Sequence, residues 1–308
     1  MISAKALEKL RSLKVKKVYL QIPEGLKTRA LSIAASLEEK GFTVVLGLEP
    51  CFGACDLRDR EAKQLGCDAL LHIGHSDFGL GTSVPVVYDE WFSDFDPVRV
   101  LKKNLKKLDK YDFIGLASSV QYADALKKAR DFLESKNKHV LAGKQGRLLL
   151  GQVLGCDYSN VALIEDRADC FIFIGSGSFH YSGLAARTAK PTFFIDAETD
   201  SFTLVHENRD TLEIKRRLRT EKAKDMRTFG IFVSTKPGQS GMEVAGGIRK
   251  ALEKKNKQAF IISADMLTKE KIMGMGIEVL VNTACPRIYE DQGMLGALVL
   301  NPEDVKDI

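Results

Sequence analysis

The chain has 308 residues, 44% hydrophobic and 28% charged, proportions of a folded globular protein rather than a disordered one. No run of about 18 apolar residues occurs, which excludes a helical membrane span, and the opening segment 1–13 mixes charge with apolar residues at helical spacing, unlike a signal peptide. The expected compartment is therefore the cytoplasm, where six cysteines are thiols, ligands or core residues rather than disulfides. A net charge of +5, scattered over exposed helix faces such as 101–107, permits an acidic partner without requiring one; no direct nucleic-acid role is expected.

Taken in order, the predicted elements repeat. An apolar strand at 17–22 leads into a helix with Ala30, Ile33, Ala34 and Leu37 on one face, and then into a strand at 41–47. A second copy has a strand at 113–117, a helix facing inward with Tyr122, Leu126, Ala129 and Leu133, and a strand at 139–142. A third has a strand at 229–233, the loop 236–241, a helix facing inward with Val244, Ile248, Ala251 and Leu252, and a strand at 259–262. A later strand recurs at 69–74, 170–175 and 278–282, each with an acidic residue at or just before its start.

Strands alternating with helices predict parallel sheets with right-handed crossovers. The first strands lie about 95 and 116 residues apart, so the repeat runs through the whole chain. The expectation is an α/β protein of three Rossmann-like parallel-sheet domains related by an internal pseudo-threefold repeat: 1–105 carrying Cys55, 106–220 carrying Cys156 and 221–308 carrying Cys285. The basic run 215–219 reads as the solvated face of a connecting helix.

Ligands of open parallel sheets bind beyond the carboxyl ends of the strands. Cys55 and Cys156 lie there, each in the loop after the second strand of its copy and each preceding an Asp, while Cys285 follows the later strand of the third copy. Packing around the pseudo-threefold axis would bring these loops together despite separations of 101 and 129 residues. Three thiolates on a soft metal centre that takes four ligands leave one position for a substrate, as suits an iron-sulfur cluster or zinc. Cysteine is also a common core residue, and Cys67 and Cys170, each leading into an apolar strand, read that way. Cys51 and Cys55 have the first spacing of the radical motif C-x-x-x-C-x-x-C, but Arg58 stands where its third cysteine belongs, so Cys51 reads as a neighbour rather than a ligand.

The loops 175–183 and 236–241 follow strands and open toward helices, which suits backbone donors meeting an anion, although neither is a dinucleotide or phosphate fingerprint; plain strand-to-helix turns are the rival reading. His72, His75 and Asp77 occupy the matching strand end of the first copy. His75 is placed to meet a ligand, and His72 reads as a core histidine. Arg287, two residues beyond Cys285, offers a planar fork to a carboxylate or forms a surface ion pair.

The segments Pro50-Cys51-Phe52-Gly53-Ala54-Cys55-Asp56-Leu57-Arg58, Gly151-Gln152-Val153-Leu154-Gly155-Cys156 and Asn282-Thr283-Ala284-Cys285-Pro286-Arg287 together resemble the archaeal diphthamide synthase family. The resemblance implies a 4Fe-4S cluster on Cys55, Cys156 and Cys285 whose fourth iron binds the methionine part of S-adenosylmethionine. It implies reductive cleavage of the sulfur–Cγ bond to methylthioadenosine and a 3-amino-3-carboxypropyl radical, which adds to C2 of a histidine of translation elongation factor 2. This is the first step of diphthamide biosynthesis. A homodimer and an electron donor are further implied. Loop position nominates Gly177, Gln239, Ser240, Arg287, His75 and His180 as S-adenosylmethionine contacts. The alternatives are a quinolinate synthase-like dehydratase, which resembles this three-domain design with an open iron, and a non-catalytic accessory iron-sulfur subunit.

Overall fold

The computed structural model describes residues 2–177, 179–205, 209–290 and 292–308. The first repeat runs α1 (Ala4–Ser12), β1 (Lys17–Gln21), α2 (Ala30–Glu38), β2 (Thr43–Leu46), α3 (Asp59–Gln64), β3 (Ala69–Ile73) and β4 (Val86–Asp89). The second runs α4 (Val98–Asn104), β5 (Phe113–Ser118), α5 (Ala123–Glu134), β6 (His139–Leu141), α6 (Ser159–Ala162), β7 (Cys170–Gly175), α7 (Phe179–Arg187), β8 (Thr192–Asp196) and β9 (Ser201–Val205). The third runs α8 (Arg209–Lys224), β10 (Thr228–Ser234), α9 (Met242–Lys254), β11 (Gln258–Ala264), α10 (Lys269–Ile272), β12 (Val279–Asn282), α11 (Arg287–Glu290), α12 (Gln292–Leu295) and β13 (Leu298–Leu300).

The strand orders are β2-β1-β3-β4, β6-β5-β7-β8-β9 and β11-β10-β12-β13. All pairs are parallel except β8 with β9. The α/β class and the threefold recurrence thus match the expectation. The chain divides into two compact units: Met1–Glu207, with the first two sheets, and Asn208–Ile308, with the third.

Central strands are buried on both faces, so their side chains are apolar almost without interruption. Alternate residues serve opposite layers. Val18, Leu20 and Leu71 meet α1 and α2, whereas Tyr19 and Leu70 meet Ala62 of α3. In the second sheet Ile114, Leu116 and Ile172 face α4 and α5, and Phe171 and Phe173 face α6 and α7. In the third, Phe229, Ile231 and Val281 face α8 and α9, and Leu280 and Val299 face α10 and α12.

Each repeat therefore opens with a helix that covers the sheet following it. The expected junctions near 105 and 220 fall at the end of α4 and inside α8. The basic run in α8 is partly spent within its own unit: Arg216 pairs with Asp304 and, at 3.1 Å, with Asp307, and Arg219 lies 4.2 Å over the Tyr289 ring. The inward face of α9 is Ala245, Ile248 and Leu252, and Val244 is exposed. Helical spacing puts both Val244 and Ala245 within one turn of Ile248, and the packing turns Ala245 inward.

The acidic residue ahead of each third strand has the same task in all three repeats. Asp68 Oδ2 accepts the backbone N–H groups of Lys16 and Lys17, both at 2.8 Å. Asp169 Oδ2 accepts those of Asp112 and Phe113 at 2.9 and 2.8 Å, and Glu278 Oε2 those of Arg227 and Thr228 at 2.8 Å. The carboxylate caps two donors at the start of the first strand and fixes its register against the third. Those backbone hydrogen bonds hold all three carboxyl groups below their usual ionisation range.

Candidate functional site

All six cysteines are thiols, and they divide by burial. Cys51, Cys67 and Cys170 are buried, Cys55 and Cys285 are half-buried, and Cys156 is exposed. Burial pushes the Cys170 thiol up to about 12 and raises that of Cys67. Both stay protonated at neutral pH and poor as ligands, since the thiolate is the ligating form. The three less buried thiols are those nominated as ligands, and each lies in a loop beyond the carboxyl end of its sheet. At Gly53 an added Cβ would stand 3.3 Å from the Cys55 sulfur, so glycine keeps that side of the thiol clear. Thiols that are not buried ionise more readily, and the thiolate is the form that ligates iron-sulfur clusters.

Within the first unit, side-chain amides tie the Cys55 loop to the Cys156 loop through the end of β3. Gln21, the last residue of β1, donates from Nε2 to the Asp56 carbonyl at 2.6 Å. Its Oε1 accepts the Arg58 N–H at 3.3 Å and faces His72 Nδ1 at 3.0 Å. His72 Nε2 lies 2.9 Å from His75 Nδ1. One residue further on, the Ser76 hydroxyl accepts from Gln152 Nε2 at 2.9 Å. Gln152 is buried in the segment leading to Cys156, where Asn160 Nδ2 bonds both the Leu149 and Gln152 carbonyls at 2.8 Å. Gly74, at φ +87, makes the turn between β3 and His75 in a conformation that L side chains rarely adopt.

His72 is fully buried and satisfied by Gln21 and His75, as expected of a core histidine. Burial, and after it His180, lowers His75 to about 4. It is therefore uncharged at neutral pH. His180 stacks on Phe173 at a centroid distance of 6.3 Å, and its carbonyl accepts the Tyr158 hydroxyl at 3.2 Å. Gly177 takes φ +70 after β7, with no neighbouring atom within 4 Å of where a Cβ would stand. Ser178 in that loop lies outside the described residues. Asp77 is a structural residue: it accepts the Gly79 N–H at 2.7 Å and pairs with Arg147 at 3.2 Å.

The second unit builds its cysteine loop differently. Asn282, at the end of β12, donates from Nδ2 to the Cys285 carbonyl at 2.9 Å and accepts the Ala284 N–H at 3.0 Å. Thr283 donates its hydroxyl to the Phe232 carbonyl at 2.8 Å. The loop with Gln239 and Ser240 runs against this segment so closely that a Cβ at Gly241 would stand 2.5 Å from the Thr283 carbonyl oxygen. Gln239 is half-buried, and Ser240 and Arg287 are exposed. The structure thus brings His75 and His180 together in one unit, and the 236–241 loop and the Cys285 loop together in the other. Sequence reasoning passed over Gln21, whose signal was a lone amide ending an otherwise apolar strand.

Among known proteins, a family model described as "Putative diphthamide synthesis protein" matches residues 22–306. The 2-(3-amino-3-carboxypropyl)histidine synthase of Pyrococcus horikoshii is 38% identical over 304 residues, 97% of this chain and 87% of the relative. Subunit 1 of the enzyme of that name from Saccharomyces cerevisiae is 28% identical, covering 94% of this chain and 69% of the relative. The crystal structure of Dph2 from Pyrococcus horikoshii superposes with a TM-score of 0.90 at 36% identity, over 99% of this chain and 91% of that one. A crystal structure of the same protein with a 4Fe-4S cluster matches at the same TM-score of 0.90 and 36% identity, over 99% of this chain and 90% of that one. Matched in sequence from Ile22 almost to its end and in fold throughout, the chain belongs to the diphthamide synthesis family and is a transferase of diphthamide biosynthesis.

Proposed function

We propose that the chain transfers the 3-amino-3-carboxypropyl group of S-adenosylmethionine to C2 of a histidine of translation elongation factor 2, the first step of diphthamide biosynthesis. The relatives' name describes that group joined to a histidine. S-adenosylmethionine carries the same group on its sulfonium, which makes it the matching donor. The observation that carries the reading is the division of the thiols: each repeat supplies one cysteine that is not buried, and those three are the ones matching the family segments.

In this reading Cys55, Cys156 and Cys285 hold a 4Fe-4S cluster like the one in the related crystal structure. When bound, the cluster supplies one electron from an iron with an open coordination position. The protein's part is positioning, since the placement of the sulfonium decides which carbon–sulfur bond lies nearest the electron source. Arg287 is suited to the donor's carboxylate, and Gly177, Gln239 and Ser240 to its remaining polar groups. His75 and His180 are the weaker candidates, on their loop positions alone.

The reading includes a homodimer served by a separate electron donor in the cytoplasm. The Pyrococcus horikoshii relative is named as a synthase, whereas the eukaryotic relative is named as one subunit. Among the described residues no helix is long and apolar enough to cross a membrane.

The test is anaerobic reconstitution with iron and sulfide, followed by dithionite and S-adenosylmethionine. Release of methylthioadenosine, with labelling of elongation factor 2, is the expected result. Release of 5'-deoxyadenosine, or no cleavage, overturns it.

A further inference from the structure

Beside the Cys55 loop, Cys51, His72 and His75 each present a ligand atom, and the three atoms lie within 4.8 Å of one another. They form the one such group of three or more found among the described residues. No part of the proposed transferase chemistry uses Cys51 or His72. We propose that Cys51, His72 and His75 form a second metal site, for a zinc-class divalent cation, separate from the cluster cysteines and clamping the Cys51–Cys55 loop to the end of β3.

The donor set favours such an ion. One thiolate and two imidazoles form a borderline set of the kind zinc takes. Three protein ligands leave a fourth tetrahedral position for water or a small anion. Adjacent ligand atoms of tetrahedral zinc are about 3.3–3.6 Å apart, from bond lengths near 2.0–2.3 Å. The 2.9 Å between His72 Nε2 and His75 Nδ1 need open only slightly to admit the ion. His75 is half-buried on the turn after Gly74.

The surroundings hold His72 ready. Gln21 must turn its Nε2 toward the Asp56 carbonyl, which only accepts, so its Oε1 faces His72. His72 therefore carries its proton on Nδ1 and presents a lone pair on Nε2. A second imidazole nitrogen bonded to an oxygen acceptor is the arrangement that orients metal-ligating histidines.

The protons balance simply. In the metal-free state the His75 Nδ1–H donates to His72 Nε2. On metal binding that proton moves to His75 Nε2, freeing Nδ1 as a ligand, and the Cys51 thiol releases its proton to solvent. One proton is lost for each ion bound, with no change of oxidation state.

Cobalt(II) is the probe, used on the full chain with Cys55, Cys156 and Cys285 all changed to Ser, so that no cluster can assemble. The expected result is one equivalent of cobalt with a near-ultraviolet thiolate-to-metal band and tetrahedral visible absorption, both abolished by stoichiometric zinc. Adding Cys51→Ser should remove the thiolate band, and adding His75→Asn should weaken binding at least tenfold, with circular dichroism showing both variants folded. Absence of stoichiometric binding in the triple variant overturns the proposal. So does a thiolate band that survives Cys51→Ser, since the sulfur donor would then be Cys67 or Cys170. Failure here leaves methylthioadenosine release by the unmodified chain unaffected, so the two readings fail separately.

Discussion

The loops carrying Cys55 and Cys285 belong to sheets of the same strand order, β2-β1-β3-β4 and β11-β10-β12-β13, yet they occupy different corners of those sheets. Cys55 follows the edge strand β2, whereas Cys285 follows the central strand β12, at the position that His75 holds in the first repeat. The scaffold is repeated and the chemistry is not. What recurs is backbone-level: apolar central strands, the helix ahead of each sheet and the carboxylate ahead of each third strand. What differs is which loop bears a thiol and what pins that loop: Gln21 and His72 in one case, Asn282 and Thr283 in the other.

Removing the thiols themselves should have the greatest consequence. Cys55→Ala, Cys156→Ala and Cys285→Ala should each abolish methylthioadenosine release and lower iron per chain after reconstitution. Cys51→Ala and Cys170→Ala should keep the iron. Iron lost from Cys51→Ala but retained in Cys55→Ala would invert the ligand assignment.

Crowding the loops is the next largest perturbation. An added Cβ at Gly143 would collide with the Asn160 carbonyl, and one at Gly241 with that of Thr283. Each is a backbone contact that no side-chain rotation relieves. Gly143→Ala and Gly241→Ala should each destabilise by about 1–3 kcal/mol or more in denaturant titrations. Iron binding in each variant should fall further than global stability, because each collision lies in a segment holding a cysteine loop.

Gln21→Leu should cost less iron and about 1–3 kcal/mol of stability, by leaving buried polar groups around His72 with one bond fewer. Asn282→Ala, whose partners Ala284 and Cys285 are half-buried, should cost less in a parallel urea titration. An equal cost would show that the two loops are pinned equally well.

The smallest effect concerns what the repeats share. Asp68, Asp169 and Glu278 have folded-state ionisation lowered from ordinary values of 3.8, 3.8 and 4.5. A lowered carboxyl contributes stability above its unfolded value and loses it as the pH falls through the folded one. Asp68→Asn, Asp169→Asn and Glu278→Gln should each lower the Tm slightly at pH 7. Each variant should converge with the unchanged chain as the pH drops below about 4, near those unfolded carboxyl values. A Tm difference that persists at pH 2 would mean that the charge is not what the clamp uses.

The sequence by itself determined the α/β class, the threefold recurrence and the three cysteine-bearing loops. Strand burial and helix periodicity are local patterns, and repetition made each copy a check on the others. The short fourth strands β4, β8 and β13 escaped it, because runs of three to five residues carry little periodic signal. Val244 was misplaced because adjacent positions on a helix differ by about 100°, and only packing shows which of them turns inward. The packing expected of Cys67 and Cys170 is what the fold shows, and only the fold buries Cys51 as well, lets Gln21 fix the tautomer of His72, and sets Cys51 beside two imidazoles some twenty residues away in sequence. Burial and hydrogen bonding between distant segments depend on where the parallel strands lie in the sheet, and no local sequence pattern encodes that.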